Sequence, residues 1–182
     1  MKKLSIKRLV SILAAAMMLL TTAVPAFAFF APAEAVIYDE ITAPRSVNLT
    51  APPNVQQKAR GFCYAACLQS LDNMWGGSYT QDDPGINQST GLVEVNNSIV
   101  GYERGTASTA GIKEAIDRGK YCIVYMVGTY SHWVVAYSAT SESADDIMVM
   151  DPYSGTKVTL QEAMDTEDAT VISQNRIAKC IG

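Results

Sequence analysis

Four short runs, "YCIVYMVG" (121–128), "HWVVAYSA" (132–139), "DIMVMD" (146–151) and "TKVTL" (156–160), follow one another with only Gly, Ser and Asp clusters between them. They are rich in β-branched and aromatic residues, and their spacing is that of hairpins, which predicts an antiparallel meander. Ahead of them stand two helical patterns. From Cys63 to Trp75, Cys67, Leu71 and Met74 fall on one apolar face, and Gly76-Gly77 stops the run. In "STAGIKEAIDRGK" (108–120), Ile112, Ala115 and Ile116 share a face and Gly119 ends the helix. Helices followed by an antiparallel sheet make an α+β domain. The polar stretch 78–106 reads as loop with one short helix near 88–98.

The chain opens differently. Lys2, Lys3, Lys7 and Arg8 precede an uncharged run from Leu9 through Phe30 that ends in the Ala26-Phe27-Ala28 cleavage pattern. Residues 1–28 therefore read as a secretory signal peptide, the alternative being an uncleaved membrane anchor. Residues 29–53 hold four prolines without periodicity and read as a linker, a short pro-segment or an extended edge, which leaves 54–182 as one domain. Losing the four basic residues of the signal leaves 10 Lys+Arg against 18 Asp+Glu, a formal charge of −8. Such an acidic surface lacks the clustered cations that a nucleic-acid partner requires. Four cysteines are too few and too scattered for a disulfide-built scaffold, although an oxidising exterior permits one bridge, Cys122–Cys180 being conceivable. Cys-x3-Cys with no second ligand pair, in a chain with one histidine, argues against zinc. No metal or cofactor is expected, and the molecule is expected to be a monomer.

Two of the cysteines sit in "QQKARGFCYAACLQS" (56–70), a stretch with almost no charge. If the helix begins at Cys63, that thiol lies at the N-terminal end, where unpaired N–H groups and the helix dipole favour an anion. A thiolate is the nucleophilic form of cysteine. Cys67, one turn further in, points with Leu71 at the core and behaves as a small hydrophobe. A cysteine nucleophile needs a base, and His132 is the single histidine. The base needs an orienting group, and Asp151 ends the strand that a meander brings beside that of His132. Asp145 and Asp146 lie close in sequence and remain alternatives, and Asp151 has the plainer task of starting the turn "DPYSG". Trp133 and Tyr137 alternate along the histidine strand and, like Trp75, read as core.

The stretch "QKARGFCYAAC" resembles the nucleophile motif of papain-like cysteine peptidases: Gln57, five residues, then Cys63, Tyr64 and Ala65. The Ala-Ala-Cys continuation, and the later order of helix, Gly, strand, His-strand and strand ending in Asp-Pro, is similar to secreted bacterial members and to the bacteriocin-leader (double-glycine) peptidase-like group. The resemblance spans roughly 55–160, and departs in Tyr64, where tryptophan is commoner, and in an aspartate where many members carry asparagine. It implies a papain-like fold with the nucleophile on an N-terminal helix packed against an antiparallel sheet. It implies Cys63 as nucleophile, His132 as base and acid, Asp151 as orienting residue, and Gln57 with the Cys63 N–H as oxyanion donors. The expected activity is a secreted thiol peptidase, acting outside the cell or at its wall on a peptide or protein. An acyl-transferase or amidase on the same scaffold, and an inactive binding module, stand as alternatives.

Overall fold

The computed structural model describes residues 47, 49–82, 86, 87, 92, 93 and 98–181. The signal-peptide reading of 1–28, and most of the stretch 29–53, lie outside these residues. Among the described residues no helix is long and apolar enough to cross a membrane.

Helix α1 (Cys63–Met74) begins at the expected residue. It is buried nearly all round, Ala65, Ala66, Cys67 and Leu71 having no exposure, which explains a helix without a basic residue and with one acid. Two-residue strands β1 (Ile86–Asn87) and β2 (Leu92–Val93) pair with each other. Of the helix expected near 88–98, Leu92 and Val93 are instead extended and pair with Asn87 and Ile86, while 88–91 and 94–97 lie outside the described residues. Strand β3 (Val100–Gly105) follows, within what reads as loop. Helix α2 (Thr109–Asp117) is capped by Ser108, whose side chain accepts from Gly111 N–H at 3.0 Å.

The meander then appears as β4 (Cys122–Gly128), β5 (Ser131–Ala139), β6 (Ile147–Asp151) and β7 (Thr156–Thr159). The chain does not end on it. Helix α3 (Leu160–Thr166) starts in a capping box in which Thr159 accepts from Glu162 N–H at 3.1 Å and Glu162 accepts from Thr159 N–H at 2.8 Å. A long strand β8 (Ala169–Cys180) returns to the middle of the sheet. The result is α+β, with a six-stranded antiparallel sheet in the order β3-β8-β4-β5-β6-β7.

Side-chain alternation along the strands splits the core between the two sheet faces. Cys122, Val124 and Met126 of β4, with Val134 and Ala136 of β5, pack on Ile112 and Ile116 of α2 and Leu160 of α3. The intervening Ile123, Trp133 and Val135, with Met150, pack on Tyr64, Cys67, Leu68 and Leu71 of α1. Trp133 is core, stacked on Tyr125 with centroids 4.5 Å apart and tilted against Tyr64 at 4.8 Å. The chain before α1 is also tied down: Tyr121 Oη donates to Thr50 O at 2.8 Å and Ser70 Oγ to Pro53 O at 2.5 Å. All four cysteines are unbridged; Cys122 is buried and Cys180 exposed.

Candidate active site

Three separate elements meet at one end of the sheet. The first is the start of α1. Gly61 adopts φ +87°, a left-handed turn that glycine takes without a steric cost, and two residues later the helix begins. Phe62 occupies the cap position without a capping side chain, and the first turn carries no acid. Cys63 stands there, 7 % exposed.

The second element is the tight turn between β4 and β5. Thr129 N–H donates to Asp168 O at 3.1 Å, Thr129 Oγ1 to Asp168 Oδ2 at 2.5 Å, and Tyr130 N–H to Glu167 O at 3.3 Å. Gly128 makes this approach feasible, because a Cβ there would lie 2.0 Å from Asp168 O. His132 follows directly on β5, opposite Met126 of β4.

The third element is the end of β6. Val135 of β5 pairs with Met150, so Asp151 lies within reach of His132. His132 Nε2 donates to Asp151 Oδ1 at 2.6 Å, and both side chains are buried. Of the three aspartates that sequence left open, Asp151 is the one on the ring. Asp145 and Asp146 are exposed, and Asp146 instead accepts from Ser141 Oγ at 2.7 Å. The Asp151 carboxylate also accepts from Tyr153 N–H at 2.9 Å and from Ser154 Oγ at 2.9 Å, bonds made inside its own Asp-Pro-Tyr-Ser turn.

The electrostatics follow from this wiring. Burial alone pulls the His132 pKa down, but hydrogen bonds to Asp151 and Cys63, with their charges, outweigh it and raise it to about 9. Burial pushes Asp151 up, and the bond and charge of His132, with the Tyr153 N–H and the Ser154 hydroxyl, more than offset this and hold it below its ordinary value. With Nε2 committed to Asp151, Nδ1 is the ring nitrogen left for the sulfur of Cys63. Burial, then the charges of Cys63 and Asp151, raises the Cys67 thiol well above its usual range, and burial pushes Cys122 up to about 12. Both remain protonated hydrophobes.

Gln57 lies on the same cleft, a space of about 680 Å³ that also takes in Cys63, His132, Arg60, Tyr130 and Glu167. Its backbone N–H donates to Pro152 O at 2.8 Å. Its Oε1 is buried without a partner, and its side-chain amide makes no hydrogen bond among the described residues. All four residues singled out in the sequence are therefore brought together. Sequence reading missed their supports, Ser154, Thr129, Asp168 and Gln81. Only Ser154 carried a local signal, an aspartate three residues before a serine across an Asp-Pro turn.

No protein-family model matches the chain, and no curated protein matches it.

Proposed function

We propose that this protein is a secreted thiol peptidase of papain-like fold. The observation that carries the proposal is the buried 2.6 Å bond between His132 Nε2 and Asp151 Oδ1, on a cleft that the histidine shares with a cysteine at the mouth of a helix. A cysteine-bearing helix packed on an antiparallel sheet, whose adjacent strands carry the histidine and the aspartate, supports the papain-like reading.

An imidazolium beside sulfur stabilises the thiolate. The thiolate attacks an amide carbonyl, the C–S bond forms, and the carbonyl oxygen takes up the displaced electron pair. Gln57 and the Cys63 N–H donate to that oxygen; loss of one such donor typically costs about 10²–10³ in rate. His132 hands its proton to the amine as the C–N bond breaks. Water, deprotonated by His132, then cleaves the thioester and releases sulfur. Substrates are peptides or proteins outside the cell.

The test is labelling with iodoacetamide at pH 6, together with peptide hydrolysis. Selective alkylation of Cys63 that disappears in His132→Ala, and hydrolysis abolished in Cys63→Ala, are expected. Equal slow labelling of Cys63 and the exposed Cys180, without hydrolysis, makes the domain a binding module. Product formed only when an amine is supplied makes it a transferase.

A further inference from the structure

Gln57 belongs to an extended strap, residues 56–58, held from two sides. On one side its N–H bonds to Pro152 O. On the other lies a single side-chain amide, that of Gln81, a residue only 8 % exposed. Gln81 Nε2 donates to Gln56 O at 3.0 Å, and Gln81 Oε1 accepts from Lys58 N–H at 2.9 Å. The two bonds bracket Gln57 as a neighbouring strand would, using the groups of residues 56 and 58 that face away from Pro152. Gln81 is in turn fixed to α1. Its Nε2 and its backbone N–H both donate to Gln69 Oε1, at 3.1 and 3.3 Å. The helix that begins with Cys63 therefore sets the position of the strap through Gln69 and Gln81.

We propose that Gln81 is the positioning residue of the oxyanion site, holding Gln57 at the distance from Cys63 at which its amide meets the developing negative charge. This rests on the reading of Gln57 as an oxyanion donor. The physical demand is strict, because a donor must sit where the oxyanion will be, and a displacement near 1 Å costs up to about 100-fold. Gln57's side chain has no bond of its own to restrain it among the described residues, so its place depends on the backbone that carries it. The buried amide of Gln81 spends its acceptor and both donors of Nε2 on strap and helix, and none on substrate.

The test compares two reactions of Cys63 in a Cys180→Ser background, neither needing knowledge of the natural substrate. Acylation by p-nitrophenyl acetate passes through an oxyanion: sulfur bonds the carbonyl carbon, oxygen takes the electron pair, and p-nitrophenolate leaves as the carbonyl re-forms. Alkylation by iodoacetamide displaces iodide and forms no oxyanion. Gln81→Leu is expected to slow acylation by up to about 100-fold while alkylation keeps its rate. Gln57→Ala is expected to slow acylation by about 10²–10³. The double variant should be no slower than Gln57→Ala alone. Should Gln81→Leu fail to fold, Gln81→Glu keeps the acceptor for Lys58 N–H and sets an oxygen against Gln56 O. Its ratio of acylation to alkylation should be low, and should recover as pH falls and the carboxyl regains a donor proton. If Gln57→Ala slows acylation and the Gln81 variants do not, Gln81 has no such role. The same holds if they slow both reactions alike, or add fully to Gln57→Ala. If Gln57→Ala itself leaves acylation unchanged, the oxyanion reading falls and this proposal with it.

Discussion

The backbone N–H of Gln57 reaches the carbonyl oxygen of Pro152 across 2.8 Å, so the strap before α1 is stitched to the residue that follows Asp151. Residues on either side of the cleft, nearly a hundred positions apart in sequence, thereby share one backbone hydrogen bond. Movement of the aspartate turn is felt at Gln57, the oxyanion donor of the proposed mechanism.

The protonation of His132 gives a prediction for pH. Its folded value, about 9, lies above its ordinary 6.5. A raised pKa stabilises the folded state fully below the ordinary value, and that contribution fades as pH rises through the folded value. Activity that requires the imidazolium should therefore fall along an alkaline limb near 9. In Asp151→Ala the bond and charge that raise the value are gone and burial still lowers it, so the limb should move to lower pH. Ser154→Ala leaves the bond between the ring and Asp151 in place, so its limb should move less than that of Asp151→Ala. Measuring kcat/KM against pH for the three proteins checks the order; an unmoved limb in Asp151→Ala contradicts it.

Asp72 makes a second prediction, about stability. Only 1 % exposed, its carboxylate accepts from Tyr79 N–H at 2.9 Å, Ser98 Oγ at 2.7 Å and Ile99 N–H at 2.8 Å. Asp72→Ala takes the acceptor from two buried donors and one half-buried donor and should cost about 3 kcal/mol, since each lost partner costs about 1–3 and such costs do not simply add. Asp72→Asn should cost less, keeping one acceptor. Urea unfolding gives both values; a loss near zero for Asp72→Ala would show that water replaces the carboxylate.

Arg176 supplies a third. Its guanidinium lies over the rings of Tyr64, Tyr102 and Trp133, at 4.8, 4.5 and 4.6 Å. Arg176→Ala should destabilise the domain by about 1–2 kcal/mol, through lost stacking and lost cover for the aromatic cluster under α1. Arg176→Lys should restore little of this, because an ammonium lacks the planar surface. Thermal melts distinguish the two, and full rescue by lysine would reduce the contact to charge alone.

Gly128 gives the last. A methyl group there would meet Asp168 O at 2.0 Å, forcing apart the turn that precedes His132 and the segment that anchors it. If His132 is the base, as proposed, Gly128→Ala should lower kcat more than it raises KM, because it displaces that ring and leaves most of the cleft in place. Steady-state kinetics read the split, and an unchanged kcat would mean that the turn adjusts without moving the ring.

How much of this was legible follows from where each signal lived. The meander and the two early helices were visible because apolar periodicity and glycine punctuation are local: β4 to β7 fall within a residue or so of the expected runs. Cys63, His132 and Asp151 were visible because each sits at the end of such an element. Strands β3 and β8 were not. In β8 Thr170, Val171, Ser173 and Gln174 are all exposed, so a central strand carries a polar sequence and its identity comes from its partners on both sides. Gln81 was invisible for a related reason. Its bonds run 23 and 25 residues back to the strap, and nothing in the surrounding polar chain marks a glutamine that will be buried.

The position of β8 sets an order of assembly. Residues 169–180 are synthesised after everything that lines the cleft beside Cys63 and His132, yet they fill the slot between β3 and β4. Until they emerge, both neighbours present an open hydrogen-bonding edge and the arginine that covers Tyr64 is missing. A chain still being made therefore has Cys63 and His132 in place without the complete sheet beside them, and the six-stranded form waits on residues 169–180.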